Sequence, residues 1–416
     1  MAFRSHGRNY WAFLWHAAFL ALTMTFTDIN TVLPSLVMRA GGSGAQLGLL
    51  TAIMVGTPLV GQLLFASYLH LKRRKKPFLI FGITLRVLAL GGVALVLLRE
   101  DALSGGTLLA LVFLLMFLFS LSGAFAGVSY TDVLGKSLAK EERKSFFVTR
   151  QVLRSLGILV SALAVRQILA YMGYPENYAR LFLLASGLLL TASLGFWVLR
   201  EPPAPAPGTV SSVREVLASI PRVLRENPRL RHWVLVVNLT GFGLTLMPFY
   251  VAMARDSFGL SPARVGNFLF VQILGMLLSS WIWSRVVKRH GFSGVVLGCV
   301  AGGAALPLLA LVLARTSLPI FMPVFFIMGM NISARKIGFD GLFIEITTDE
   351  NRALHQGILG ALSITGAAFP LVAGWLIDRV GFAPVFVAGS VLIATAAFFV
   401  RSACRGPTPS VMNNSS

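Results

Sequence analysis

An all-α membrane protein, with twelve transmembrane helices in two pseudo-symmetric six-helix bundles, is the fold class this sequence predicts. Three observations predict it. Of 416 residues, 56% are hydrophobic and only 12% charged, where soluble domains carry about 25% charged residues. The apolar residues fall in runs of about twenty, the length that crosses roughly 30 Å of hydrocarbon. The two halves also echo each other: 61–78 (GQLLFASYLHLKRRKKPF) and 275–292 (GMLLSSWIWSRVVKRHGF) align without gaps, and Pro34 and Pro248 stand at the same offset. Such a repeat is the mark of an internal duplication.

The runs, broken by charges and by Gly or Pro, place spans at 11–37, 47–69, 78–98, 107–133, 146–170, 181–199, 233–254, 262–283, 293–313, 320–346, 354–377 and 382–400. Arg4 and Arg8 precede the first run, which has no small-residue cleavage site, so a span is expected there rather than a removable leader. An even number of spans puts both termini on one side. Of the 36 Lys and Arg, 23 lie in tails and loops on that side and 8 on the other, with five inside spans. Loops rich in Lys and Arg stay in the cytoplasm, so both termini are expected there, in a protein of the cytoplasmic membrane.

The net charge of +20 belongs to those loops. No aromatic-interleaved basic domain points to nucleic acid, and the basic loops are expected to meet anionic lipid. Between the halves, 200–232 opens with the proline-rich EPPAPAPG, which cannot be helical. Val213, Val216, Leu217 and Ile220 then recur at near-helical spacing among basic residues, as in a short interfacial amphipathic helix. The expected units are therefore a bundle over 1–199, a linker over 200–232, a bundle over 233–401 and a disordered cytoplasmic tail over 402–416. Cys299 and Cys404 form no metal-ligand spacing, and a disulfide between them is not expected. No glycine-rich phosphate loop and no catalytic constellation occurs, so neither an enzyme nor a resident metal or cofactor is expected.

Ionisable groups inside the spans carry the functional reading, because a charge at the bilayer centre costs at least about 2.5 kcal/mol. In span 1, Thr23, Thr27 and Thr31 repeat at four residues beside Asn30, a polar stripe on one helical face. Asp28 sits among them without a charged partner in its own span, which suits a proton-coupling or substrate-contacting acid. Span 3 carries Arg86, expected to reach the interface or to pair with Asp28 or Asp132. Span 4 carries Gly123 and Gly127, which favour close helix packing, and Asp132, for which Arg150 and Arg154 of span 5 are the natural partners. Span 7 adds Asn238, Gly241, Thr245, Pro248 and Tyr250. Asn238 and Thr245 are candidate hydrogen-bonding groups for a solute. Asn267, Gln272, Gln62, Ser363 and Thr365 are weaker candidates of the same kind, and His16 either relays protons or packs helices.

Span 10 holds Asn331, Arg335, Lys336 and Asp340. Lys336 and Asp340, four apart, are expected to neutralise each other, with Asp340 a second proton-coupling candidate. Arg335, with Asn331 one turn away, is expected to look into a wet central chamber and hold an anionic group, since a guanidinium binds carboxylate or phosphate bidentately. Five in-span cations against Asp28, Asp132 and Asp340 point to an anionic or zwitterionic solute.

At the ends of spans 4 and 10, LGKSLAKEERKSF around Glu141 and Arg143 and FIEITTDENRALH around Glu350 and Arg352 repeat one another. With these motifs the chain resembles the major facilitator superfamily over nearly its whole length. DVLGKSLAKEERKSFFVTRQ is similar to that family's loop between spans 4 and 5, IEITTDENRALHQG to its counterpart after span 10, and WLIDRVGF to its turn into span 12. The loop after span 2 departs from the pattern: HLKRRKKP lacks the expected Asp and internal Gly, and in the second copy Ser284 stands near where an acid is expected. Its five cations, Lys72–Lys76, are expected to meet lipid headgroups or Glu141 and Glu142. The resemblance implies alternating access, with spans 1, 4, 7 and 10 lining a central site and spans 3, 6, 9 and 12 peripheral. The function expected is secondary transport of a small organic solute, coupled to protons or another ion, by a monomer. A broad efflux pump for amphipathic compounds and a non-transporting membrane sensor or assembly factor are the competing readings.

Overall fold

The structure is a computed structural model that describes residues 7–70, 72–202, 213–259, 261–348 and 352–404. Span 1 is two helices, Arg8–Phe26 and Val32–Arg39, separated at Asp28. Spans 2 to 6 are Gly44–His70, Lys76–Leu97, Gly105–Ser137, Lys140–Tyr171 and Glu176–Val198. Span 7 is again broken, into Pro228–Leu246 and Phe249–Phe258. The echo of Pro34 and Pro248 thus has a structural meaning. Each proline stands within or just before the second helix of a broken first span, where its missing N–H and fixed φ are tolerated.

Spans 8 and 9 form one helical run, Pro262–Leu313, that turns at Gly291 with φ 66°, a left-handed value that favours glycine. Span 10 is Leu318–Phe321 continued by Pro323–Ile346. Span 11 is Arg352–Leu362 and Ile364–Val380, and span 12 is Phe382–Cys404. Among the described residues, ten helices are long and apolar enough to cross a membrane. Dividing Pro262–Leu313 at Gly291 and adding the broken span 1 gives the twelve expected. The last helix runs into the stretch expected to be a disordered tail, and 405–416 lie outside the described residues.

Both ends of the described chain and the linker lie at one end of the molecule. Asn9 at the start of span 1 bonds the Ser137 and Arg200 carbonyls at the ends of spans 4 and 6 (3.1 and 2.9 Å), and His232 at the start of span 7 stacks on Phe399 near the end of span 12. The expected linker helix is present as Val213–Glu226, with Leu217 exposed and an Arg222–Glu226 ion pair of 2.9 Å on its outer side.

The two bundles meet along spans 2 and 11 and along spans 5 and 8, and glycines set how close they come. A Cβ at Gly48 would collide with the Pro370 carbonyl, one at Gly374 with the Gly44 carbonyl, and one at Gly266 with the Arg166 backbone at 2.8 Å. One apolar core fills the first bundle from Phe13 near the terminal end to Leu36, and at the end away from the termini it continues into the second bundle through Phe268 and Phe325. Toward the terminal end the second bundle has a core of its own around Trp233, Val296 and Leu342, against which Leu224 of the linker helix packs. The bundles are therefore welded at the far end and part toward the terminal end.

Candidate functional site

The parting leaves a cleft at the terminal end. On its first-bundle wall a cavity of about 220 Å³ is lined by His16, Leu20, Met24, Tyr130, Arg150 and Arg154. Arg150 lies 5.8 Å over the Tyr130 ring. Arg150 and Arg154, one helical turn apart, form no ion pair with a described carboxylate. From the facing bundle, exposed Lys336 interacts electrostatically with Arg154, Asp340 and Arg150. Lys336 and Asp340 sense each other without a close ion pair, so the expected mutual neutralisation is incomplete. The cleft is a positive chamber with one wall partly apolar.

His16 lines this cavity while being held against span 6. Its ring nitrogen Nδ1 meets the Ala192 carbonyl at 3.2 Å and the ring lies tilted against Phe196 with centroids 4.2 Å apart, buried between spans 1 and 6.

Asp132 is paired differently from expectation. Its partners are Lys75 (2.9 Å) from the loop after span 2 and Lys136 (2.9 Å) one turn along its own helix, instead of Arg150 and Arg154. Lys136 bridges on to Glu201 at 2.8 Å. Glu201 in turn accepts the backbone N–H groups of Lys75 and Lys76 (2.7 and 2.8 Å), capping span 3. The physical reason is direction: the Asp132 face looks along its bundle toward the loops, while the two arginines look into the cleft. The basic loop therefore meets Asp132 and Glu201, whereas Glu142 accepts the Gly7 N–H at 3.0 Å. Glu141 is exposed, and Arg143 holds the Gly135 carbonyl at the end of span 4 (2.6 Å), where a cation complements the helix dipole. Glu350 and the Arg352 side chain lie outside the described residues.

Arg335 is the principal correction of placement. Its Nη1 donates to Thr240 Oγ1 at 2.7 Å, its guanidinium lies 4.3 Å from the Phe339 ring, and it borders a cavity of about 10 Å³ between spans 7, 9, 10 and 12. It points into the second bundle, not the chamber. Asn331 goes with it. In the amide orientation that satisfies both ends, its nitrogen donates to the Cys299 carbonyl (3.2 Å) and its oxygen accepts from the Gly303 N–H (2.7 Å). Arg86 mirrors this arrangement in the first bundle, 4.3 Å over Phe119 and against Gly123, its Nε without a hydrogen-bond partner and with neither Asp28 nor Asp132 beside it. Gly123 thus admits an arginine, and a Cβ at Gly127 would meet nothing within 4 Å.

The polar stripe of span 1 is interrupted, because the helix ends at Phe26 and Asp28 lies in the break. Asp28 Oδ1 accepts the N–H groups of Asn30 and Thr31 and the Thr31 hydroxyl, each at 2.9 Å, and Oδ2 accepts from Gln272 of span 8 at 3.2 Å. Thr27 and Thr245 bond carbonyls of their own helices (3.5 and 3.1 Å). Asn238 bonds the Val234 carbonyl (2.9 Å) and accepts the Thr365 hydroxyl (3.2 Å) of span 11. Asp28 and Asn238 thus join neighbouring spans, whereas Thr27 and Thr245 are satisfied within their own helices.

Sequence reasoning missed Lys75, Lys136, Glu201 and Tyr130 as a set, and Asp378. The usable signals were an acid directly after span 6, at Glu201, and the Asp of WLIDRVGF.

A family profile described as Major Facilitator Superfamily matches residues 14–254 and 234–414. Among solved structures, a POT family transporter in complex with 5-aminolevulinic acid is similar, with TM-score 0.73 and 11% identity over 96% of this chain and 97% of that one. Nucleoside transporter NupG is similar at TM-score 0.67 and 14% identity, over 95% and 99%, and a D-xylose–proton symporter at 0.66 and 14%, over 94% and 96%. No curated protein sequence matches the chain.

Proposed function

The chain belongs to the major facilitator superfamily of membrane transporters, and from that premise we propose that it carries a small organic anion or zwitterion across the cytoplasmic membrane by proton-coupled alternating access. The observation that carries the solute class is the sign of the cleft: Arg150, Arg154 and Lys336 against Asp340. A guanidinium pair one turn apart suits a carboxylate or phosphate, and Leu20, Met24 and Tyr130 offer an apolar wall for the rest of the molecule.

In this reading the terminal end faces the cytoplasm, in keeping with the Lys and Arg asymmetry, and the cleft is open to it. The two bundles rock about that cleft. Exposed Arg73 and Arg74 attract anionic lipid. Asp28 is the coupling acid, with Asp340 the second titratable group. Asp28 stands where the first span breaks and where the bundles touch through Gln272, so its protonation alters a contact between them. Asp132, with Lys75 and Lys136, acts in gating at the cytoplasmic end.

The test is thermal melting of the purified protein against anionic, zwitterionic, cationic and neutral metabolite pools at two pH values. A ligand at about 100 times its Kd stabilises by about 2.7 kcal/mol. Anionic or zwitterionic pools raise Tm in the wild type and fail to do so in Arg150→Ala and Arg154→Ala. Stabilisation by cationic pools alone refutes the solute class.

A further inference from the structure

Three sets of hydrogen bonds between described residues join the bundles, and all lie at the far end: Asp28 with Gln272, Arg166 with Asn267 (2.7 Å), and Asp378 with the start of span 2. The third is unlike the others, because a carboxylate of one bundle caps a helix of the other. A helix leaves its first amide N–H groups without partners inside the helix. At span 2 every one can be traced. The Ser43 N–H donates to Gln46 Oε1 (2.9 Å) and the Gln46 N–H to Ser43 Oγ (3.3 Å), a reciprocal cap within the segment. The two amides between them, Gly44 and Ala45, donate to Asp378 Oδ1 and Oδ2, both at 2.7 Å.

Asp378 comes from the last turn of span 11 and is exposed. Its neighbour Arg379 is turned back over Trp375, 4.2 Å from the ring, and so leaves the carboxylate to span 2. The approach is built for this contact. A Cβ at Gly44 would come within 2.5 Å of Asp378 Oδ1, and one at Gly374 would strike the Gly44 carbonyl. Both charge-assisted hydrogen bonds and the positive end of a long helix favour the carboxylate here, and all of this exists only while the bundles are closed at the far end.

We propose that Asp378 is the latch of the far face: the far side opens when its carboxylate releases the Gly44 and Ala45 amides to water. The inference rests on the alternating-access reading above. Asp378 is a positioning residue, remote from the chamber cations, so its loss shifts the balance of states and leaves solute binding chemistry in place.

The experiment is a spin-label distance measurement between Leu49→Cys in span 2 and Val380→Cys at the end of span 11, both exposed apolar positions, with Cys299→Ala and Cys404→Ala as background, in lipid nanodiscs without solute. The latched protein gives one short distance. Asp378→Ala moves a population to distances longer by several Å. Asp378→Asn, which keeps one acceptor oxygen, falls between them. Gly48→Leu, a wedge against the Pro370 carbonyl, opens the far face by steric force and serves as the positive control. If the wedge lengthens the distance and Asp378→Ala does not, the latch is refuted while alternating access stands. If neither does, the rocking motion itself is refuted.

Discussion

Replacing Glu201 by Ala removes the carboxylate on which the terminal end of the first bundle converges. Its side chain is only 3% exposed, so solvent screens little of what it does. Three contacts vanish together: the Lys136 ion pair at 2.8 Å and the hydrogen bonds from the Lys75 and Lys76 amides at 2.7 and 2.8 Å. Hydrogen bonds to a charged group are worth about 1.5–3 kcal/mol each, net. Removing one partner of a buried ion pair costs about 3–5 kcal/mol. These terms share atoms and do not add. Lys136 keeps Asp132 at 2.9 Å, which lowers the ion-pair loss, so the expected destabilisation is about 3 kcal/mol. Denaturant unfolding in detergent micelles measures it. Glu201→Gln, which retains an oxygen for one amide, should lose about half as much. A double-mutant cycle with Lys136→Met should return a coupling of at least about 1 kcal/mol. A loss below about 1 kcal/mol for Glu201→Ala would show that the cluster is a surface arrangement without structural weight.

Further outcomes follow from other buried groups. Arg86→Met leaves unfolding free energy unchanged or slightly higher, because the guanidinium has no acid partner among the described residues and an unsatisfied Nε. A loss above about 2 kcal/mol would overturn that. Asp28→Asn keeps an oxygen for the Asn30 and Thr31 donors, so melting changes by little. In proteoliposomes it abolishes accumulation driven by a pH gradient while solute counterflow persists, and gradient-driven accumulation at the wild-type level would remove Asp28 from coupling. Asn238→Leu deletes the contact to Thr365 and costs about 1 kcal/mol by unfolding, with no change in solute-induced stabilisation. A lost Tm response would instead place Asn238 in the solute site.

The membrane class, the twelve spans and the repeat were written in composition and run length, because burying a helix in hydrocarbon demands about twenty apolar residues whatever its neighbours are. The breaks in spans 1 and 7 were foreshadowed by Pro34 and Pro248, since proline acts on its own backbone. The pairing of charges was a different matter. Sequence gives the angle between two side chains on one helix, as for Asn331 and Arg335, but not the rotation of that helix about its axis. The apolar residues of span 10 are spread around the whole helix, so nothing in it says whether Arg335 looks at the chamber or at Thr240.

The sequence places Asp132 and Arg150 at similar depths, yet packing turned the first toward Lys75 and Lys136 and the second toward the cleft. Glu201 and Asp378 lay at span ends, where an acid looks like any other loop charge, and only the assembled bundles brought each to a foreign helix terminus. The chain's local chemistry thus determined what crosses the membrane and where it bends. The tertiary arrangement alone decided which charges face the cleft and which join the bundles, because that depends on helix rotation and on contacts between residues distant along the chain.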